Sequence, residues 1–253
     1  MGVQGLMSYC LSHQEECVEY FDLVTIASMR GGIELLCDFY AFEQSLVEYF
    51  WQSITSISGN PYLMLLGGEY RSLDEYITKF VKDLQALSIK LVMFVDGSKG
   101  SSRSTTERKL ETWKHRFTQD QDRATRQLDA LHRRCQVEEI RDTKNVRPVL
   151  LEVQIVESLI ACGVEIVQCV AGEADYVIAR NLQRRPQAFA VLSNDSDFFV
   201  FADCRLITNE LFDLSRDMRL GSAQRLPETP QKLSVGVIST TKVCSLLGVR
   251  IYL

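Results

Sequence analysis

The chain has 253 residues, of which 46% are hydrophobic and 24% are charged, and its net charge is -5 at pH 7. This composition is typical of a globular protein with one large domain or two small ones. Because the overall charge is acidic, it excludes a general attraction for nucleic acid, which would have to be held by a local patch or through metal ions.

Cysteine usage and hydropathy narrow the class of protein further. The eight cysteines include no Cys-x-x-Cys pair and the three histidines stand apart, so a zinc site is not expected. Most cysteines stand in apolar runs and are expected to be small buried residues in a reducing compartment. We see no secretory signal and no apolar run long enough to span a membrane, so no membrane partner is expected.

The N-terminal part of the chain predicts two core strands that each end in an aspartate. After a short predicted helix to about Glu19, the apolar run Ile33–Cys37 leads to Asp38. Further along, Lys90–Val95 leads to Asp96. Between them, the spacing of apolar residues predicts a crossover helix over Ala41–Ser53, and a capping-box pattern at Ser72–Glu75 predicts a second helix through Leu87.

Residues 98 to 147 differ in character from their surroundings. Ser98–Thr106 is rich in Ser and Gly, whereas Glu107–Arg141 has a helical pattern with few apolar residues. Such a helix projects from a core more easily than it packs into one. The segment is locally basic with acids interspersed, so it is either a basic surface for a partner or a solvated helical hairpin.

The second half of the chain predicts two more core strands, each followed by a pair of acids. Glu173 and Asp175 follow the strand predicted at Val164–Val170 and lie in a first helical turn, where the helix dipole favours negative charge. Asp195 and Asp197 follow the fully apolar run Ala188–Leu192. The remaining predicted elements are a helix at Val149–Cys162 ended by Gly163, a short strand within Arg205–Phe212, a strand or loop at Val235–Ser239 and a last helix to Leu247, whose cap is placed at Thr240–Thr241.

Strands that alternate with helices imply a parallel α/β sheet, in which the carboxyl ends of the strands share one edge. Taken singly, each acid at these ends could be a turn former, a helix-start acid or an N-cap. Taken together they would repel one another, and no matching cluster of Lys or Arg stands in the same turns. Carboxylate ligands suit Mg²⁺ or Mn²⁺, and two such ions can cleave a phosphodiester. The six acids are Asp38, Asp96, Glu173, Asp175, Asp195 and Asp197.

Short motifs in a specific order also give the sequence a family resemblance. Met1–Leu6, Val95–Gly97, Gly172–Asp175 and Ser193–Asp197 resemble the successive motifs of flap endonuclease and xeroderma-pigmentosum-G-type nucleases. Within that superfamily, Cys37–Phe42 resembles the first aspartate motif of the Asteroid branch, and Lys109–Arg116 resembles the start of its arch region. The resemblance covers about residues 1 to 201.

This resemblance implies a PIN-like α/β fold: a central, mostly parallel sheet flanked by helices, with a charged helical arch insertion. It also implies structure-specific cleavage of flapped or branched DNA with two Mg²⁺ or Mn²⁺ ions, held by the six acids. By position, Lys109 and Lys114 would be catalytic arch cations that steady the scissile phosphate. The residues expected near the DNA are Gly2, Arg103, Arg108 and Arg116.

The resemblance further implies one nuclease domain over residues 1–253. Its parts are an N-terminal region (1–97), an arch-like insertion (98–147) and an internal region (148–253), which we expect to be truncated at its C-terminus. We expect a monomeric, nuclear protein, or one both cytoplasmic and nuclear, with a role in DNA repair.

Three departures from the family pattern favour other interpretations. Leu247–Arg250 lacks the further aspartate of the family, no helix-hairpin-helix element follows, and Phe39 stands where the family prefers a small residue and can crowd the site. An inactive nucleic-acid-binding or coactivator scaffold is therefore the alternative. A PIN-type ribonuclease is a third interpretation, although the glycine-rich start and the arch-like insertion fit it less well, and RNA stays open as a partner.

Overall fold

The computed structural model describes residues 5–46, 70–97, 103–133, 150–170, 173–212 and 232–249, and a seven-stranded sheet runs through them. Its strands are β1 (Val18–Asp22), β2 (Ile33–Asp38), β3 (Ile89–Asp96), β4 (Glu165–Cys169), β5 (Ala188–Leu192), β6 (Arg205–Ile207) and β7 (Ser234–Ser239). They lie in the order β1-β7-β6-β5-β2-β3-β4. The five strands from β6 to β4 are parallel, and β7 runs antiparallel to both β6 and β1.

The central strands form where the sequence is apolar on both sides of the pleat. All five residues of β5 are buried, as expected for a strand that is covered on both faces. Alternate residues of neighbouring strands enter opposite cores: Leu35 and Met93 join one, whereas Leu36 and Phe94 join the other.

Helices cover both faces of this sheet. They are α1 (Leu6–Ser12), α2 (Gln14–Cys17), α3 (Leu23–Arg30), α4 (39–46), α5 (Tyr70–Ala86), α6 (Arg103–His132), α7 (Leu151–Ala161), α8 (Ala174–Arg184) and α9 (Thr240–Leu247), with a 3-10 helix at Ser196–Val200. One core takes side chains from α3, α4, α5 and α7, and the other takes them from α1, α2, α8 and α9. None of the described helices is long and apolar enough to cross a membrane.

The predicted α/β class is confirmed, because the sheet is mostly parallel and helices flank it on both faces. The strands predicted to end at Asp38 and Asp96 end there. The charged segment is a helix from Arg103 to His132, and its predicted continuation to Arg141 lies outside the described residues. Five cysteines expected in the interior are buried: Cys10, Cys17, Cys37, Cys169 and Cys204.

Three local predictions were wrong. The helix predicted to Glu19 ends at Cys17, because Val18 begins a strand that pairs with β7, more than two hundred residues away. Ser72 lies inside α5 rather than capping it. The cap of α9 is Ser239, whose side chain accepts a hydrogen bond from the Lys242 N–H, and not the following threonines. The part of the crossover helix beyond residue 46 and the polar segment 213–231 lie outside the described residues.

Gly97 brings two strand ends close together at the edge where the acids lie. A Cβ atom at this position would lie 1.9 Å from the carbonyl oxygen of Cys169, the last residue of β4. Only glycine permits this approach. It places Asp96, at the end of β3, beside Cys169 at the end of β4.

Candidate functional site

The six predicted acids follow neighbouring strands at one edge of the sheet. The parallel registers set Asp38 of β2 opposite Phe94 of β3, and Asp96 of β3 opposite Cys169 of β4. On the other side of β2, Cys37 pairs with Leu192, the last residue of β5. The turns after β4 and β5 then supply the remaining acids, so the topology brings all six to the same edge.

Four of these acids form an inner cluster, which we define as Asp38, Asp175, Asp195 and Asp197. Carboxylate oxygens of Asp175, Asp195 and Asp197 all lie within 4.8 Å of one another. Burial raises the pKa of Asp175 to about 7, and the charges of Asp195, Asp38 and Asp197 add to this effect. The three neighbouring charges are therefore close enough to oppose the ionisation of Asp175.

Local backbone geometry orients these carboxylates in the protein without a ligand. Asp195 precedes the 3-10 helix, and its Oδ1 accepts a hydrogen bond of 3.0 Å from the Asp197 N–H. The N-cap role that the sequence allowed for Asp195 is thus real, and it coexists with membership of the cluster. Glu173 is the N-cap residue of α8, and Asp175 lies in the first turn of that helix, as predicted.

Ser193 joins two strand ends within the inner cluster. Its fully buried hydroxyl donates to Asp38 Oδ2 at 3.0 Å and accepts from the Asp195 N–H at 3.2 Å. The Tyr40 N–H donates to the other Asp38 oxygen at 3.2 Å. Burial raises the pKa of Asp38 although these hydrogen bonds favour the charged form, so the carboxylate is both held and poorly solvated.

The other two acids form an outer pair, Asp96 and Glu173, that contacts a lysine. Lys109 Nζ of α6 lies 2.8 Å from Asp96 Oδ1 and 3.4 Å from Glu173 Oε2. Burial acts to lower the pKa of Lys109, but the hydrogen bond and the attraction of both carboxylates outweigh it and raise the pKa. Lys109 is thus a charged, nearly buried ammonium at the foot of α6.

Beyond Lys109, a cavity of about 430 Å³ lies between α6 and the acids. Acids of both groups form its floor, and α6 supplies a stripe of polar residues at helical spacing. The stripe consists of Arg116, Gln119, Asp120 and Arg123. The Arg116 guanidinium lies 5.9 Å from the ring centre of Tyr40, a contact that links α6 to the start of α4.

Three of the other predicted residues lie on the exposed surface of α6. Lys114 is exposed on α6 and is not part of the described cavity wall. Arg103 and Arg108 are also exposed, and Arg103 pairs with Glu107 at 2.9 Å. Gly2 lies outside the described residues. The roles assigned to these residues stay predictions.

Phe39 does not crowd the site. Its side chain is buried in the core together with Phe42, so Tyr40 rather than Phe39 lines the cavity. Alternation along the chain explains this, because neighbouring residues at the start of α4 point in different directions.

The sequence interpretation gave no role at the site to Ser193 or to three α6 residues that line the cavity. Ser193 stands between a strand and an acid, where a serine is easily taken for a turn residue. Gln119, Asp120 and Arg123 follow Arg116 at intervals of three, four and seven residues, which puts all of them on one helix face. That spacing was a usable signal, although it does not say which face of the helix looks inward.

The donor set fits a divalent cation of the Mg²⁺ or Mn²⁺ type. Such ions prefer hard oxygen ligands, and the inner cluster offers carboxylates alone. An ion there would also relieve the repulsion that raises the pKa of Asp175. The residues that could hold it are Asp38, Asp175, Asp195 and Asp197.

Comparison with known proteins found no family model and no curated protein that matches the chain. Similar solved structures include the catalytic core of Rad2 in complex with DNA substrate, with 13% identity and a TM-score of 0.47. Others are the Holliday junction-resolving enzyme GEN1 with product DNA and Mg²⁺, at 14% and 0.49, and flap endonuclease-1 from Methanococcus jannaschii, at 14% and 0.49. The alignments include 96% of this chain for Rad2, 96% for GEN1 and 92% for flap endonuclease-1. They include only 57%, 41% and 64% of those three structures, in the same order. At TM-scores below 0.5, these similarities give no support to a particular activity.

Proposed function

We propose that this chain is a metal-dependent nuclease that hydrolyses phosphodiester bonds. The observation that carries the proposal is the inner cluster, in which three carboxylates lie within 4.8 Å of one another beneath an arginine-bearing helix. Clustered, poorly solvated acids with a raised pKa are characteristic of functional sites. A structural role alone gives no reason to bring them together.

Each group of residues has a distinct part in this proposal. The inner cluster would hold divalent ions, which when bound supply activation of water and stabilisation of the leaving oxygen. Arg116 and Arg123 line the opposite wall of the cavity, where guanidinium groups can bind phosphate oxygens. Ser193 orients Asp38 and Asp195. The cavity therefore offers ion ligands on one side and phosphate ligands on the other.

We further propose that the substrate is flapped or branched DNA and that two ions take part. Support comes from the motifs at Val95–Gly97, Gly172–Asp175 and Ser193–Asp197, whose acids lie at the edge of the cavity or in the inner cluster. A role in DNA repair in the nucleus would follow from such a substrate.

A nucleic-acid-binding scaffold without cleavage is the second candidate. The contact that favours it is the ion pair of Lys109 with Asp96 and Glu173, because an ammonium there already balances part of the negative charge. A scaffold of this type would use the basic residues of α6 and would not depend on a divalent ion for its structure.

Cleavage of labelled 5′-flap, 3′-flap and single-stranded DNA, each with Mg²⁺, Mn²⁺ or EDTA, tests the proposal. We expect incision near the junction with either metal and none with EDTA. The matched control is Asp175→Asn, which removes one charge from the inner cluster and should be inactive while it stays folded. Incision that persists in EDTA or in Asp175→Asn would contradict the nuclease assignment. Binding of all three DNAs without incision would favour the scaffold.

A further inference from the structure

Lys109 divides the six acids into two groups with different charge balance. Among the described residues, no Lys or Arg forms an ion pair with Asp38, Asp175 or Asp195. At the outer pair, by contrast, the Lys109 ammonium contacts both carboxylates, at 2.8 Å and 3.4 Å. An ammonium thus already stands between Asp96 and Glu173.

The surroundings of Lys109 make this contact more than a surface ion pair. Its side chain is 10% exposed, that of Asp96 is 22% exposed and that of Glu173 is 57% exposed. A nearly buried ammonium needs a charged partner, whereas solvent-exposed ion pairs contribute little. Breaking the contact therefore costs more free energy at the nearly buried Lys109 than at the solvated Glu173.

A divalent ion and the Lys109 ammonium cannot share the outer pair at this geometry. An ion held by Asp96 and Glu173 would take the oxygens that Lys109 now contacts, and two cations at that distance repel strongly. At Asp38, Asp175 and Asp195 of the inner cluster, no Lys or Arg among the described residues competes in this way. The two groups should then differ in affinity for the same ion.

We propose that Lys109 is an internal cation that competes with a divalent ion for Asp96 and Glu173. The free protein then takes up one ion at the inner cluster with high affinity, and a second ion binds at the outer pair only as the ammonium leaves. This inference rests on the proposed function, because it presumes the inner metal site. Lys109 is thereby a positioning residue that sets the number of ions bound.

The inference couples the second ion to the position of α6. Lys109 lies seven residues before Arg116, so both are on the face of α6 that looks toward the acids. When the ammonium leaves the outer pair, α6 loses its ion pair with the sheet edge and keeps the Arg116 contact with Tyr40. The released ammonium faces the cavity.

Mn²⁺ titration of the full chain without nucleic acid, followed by calorimetry and by electron paramagnetic resonance, tests the competition. We expect wild type to bind one ion tightly and a second at least about 10-fold more weakly. Lys109→Met should raise the affinity for the second ion about 10-fold or more, and Lys109→Arg should keep it low because the positive charge remains. Lys114→Met, on the same helix but exposed, should match wild type. Equal second-ion affinity in wild type and Lys109→Met would overturn the inference.

A second measurement needs no substitution, so it holds even if Lys109→Met fails to fold. Brief labelling of wild type with an amine-reactive reagent, followed by peptide mass spectrometry, reports how accessible each lysine is. We expect Lys109 to label slowly relative to Lys114, and the ratio to rise as Mn²⁺ fills the weaker site. A ratio that does not change with Mn²⁺ would mean that the ammonium stays in place, and would overturn the inference.

Failure of this inference can be told apart from failure of the proposed function. If wild type and Asp175→Asn both bind no Mn²⁺, the inner metal site is absent and both proposals fall. If wild type binds one ion tightly but Lys109→Met does not change the second, only the role of Lys109 falls.

Discussion

The two edges of the central sheet use the same residue types in opposite ways. At the amino edge, Arg185 donates to Glu34 at 3.2 Å and pairs with both oxygens of Glu165. At the carboxyl edge, carboxylate oxygens of Asp175, Asp195 and Asp197 lie within 4.8 Å of one another. No Arg among the described residues forms an ion pair with Asp175 or Asp195 there. The acids at the amino edge join β2, β4 and α8 through Arg185. The inner cluster at the carboxyl edge instead destabilises the folded state, because its like charges repel one another.

The pKa shifts of two acids express this difference. The hydrogen bonds from Arg185 are the main cause that lowers the pKa of Glu165. Burial, with the charge of its neighbours, raises the pKa of Asp175 to about 7. Ionised Glu165 therefore stabilises the folded state and ionised Asp175 destabilises it. A site that is costly at neutral pH is more easily explained by ligand binding than by architecture.

The largest expected effect is a difference in cleavage rate between variants of the two edges. Asp195→Asn combined with Asp197→Asn should reduce metal-dependent cleavage by about 100-fold or more, because it removes two carboxylates from the inner cluster. Glu34→Gln combined with Glu165→Gln removes the same number of charges at the amino edge and should leave the cleavage rate nearly unchanged. Rates measured on one flap substrate with Mn²⁺ check both. Equal losses in the two double variants would contradict the assignment of the site.

The next effect concerns stability of the metal-free protein as a function of pH. Because the folded-state pKa of Asp175 is about 7 and its ordinary value is 3.8, the folded state binds the proton more tightly between these values. Stability should therefore fall as the pH rises from about 4 to about 7, by up to about 4 kcal/mol for this group at about 1.4 kcal/mol per pKa unit. Asp175→Asn should remove that part of the slope. Urea unfolding at several pH values in EDTA measures it, and an unchanged slope would argue against the raised pKa.

Removal of the arginine at the amino edge should destabilise the folded protein at pH 7, whereas removal of the Asp175 charge should stabilise it. Arg185→Met leaves Glu34 and Glu165 without their guanidinium partner and should destabilise the protein by about 1–2 kcal/mol at pH 7. The control is Arg103→Met, whose ion pair with Glu107 is exposed and should matter little. Urea unfolding midpoints of both variants decide the point. If Arg103→Met cost as much as Arg185→Met, the amino edge would have no special role.

The smallest expected effect is the change in stability caused by substitution of Glu165 alone. Glu165 has a lowered pKa, so its contribution is present at neutral pH and is lost as the pH falls through that value. Glu165→Gln should thus cost less than about 1 kcal/mol at pH 7, since the side chain is half exposed, and nothing at acidic pH. The change that Glu165→Gln causes in the slope of stability against pH should be opposite in sign to the change that Asp175→Asn causes. The same urea series supplies the measurement.

Much of the fold and of the acidic site follows from local sequence patterns. The strands that lead to Asp38, Asp96 and Asp195 are mostly apolar, and such strands become parallel core strands whose ends meet at one edge. The first helical turn that holds Asp175 was also evident from sequence. These features depend on neighbours in the chain, so they are visible without a structure.

Features that depend on distant partners were not visible. β1 forms because Val18–Asp22 pairs with Ser234–Ser239, and nothing in the first segment indicates that partner. Arg185 finds Glu34 across 151 positions of the chain. The contacts of Lys109 with Asp96 and Glu173 were likewise not visible from the sequence. Long-range pairing, not propensity, decides each case.

The hydroxyl of Ser193 has a consequence for how quickly and how tightly a ligand can be taken up. It fixes Asp38 through one hydrogen bond and the backbone of Asp195 through another, and it is wholly enclosed. Ser193 and Asp38 lie 155 positions apart in the chain, yet the hydrogen bond between them leaves the Asp38 carboxylate little rotational freedom. An arriving ion therefore meets an ordered receptor, and most of the entropy of arranging its ligands has been lost already, during folding.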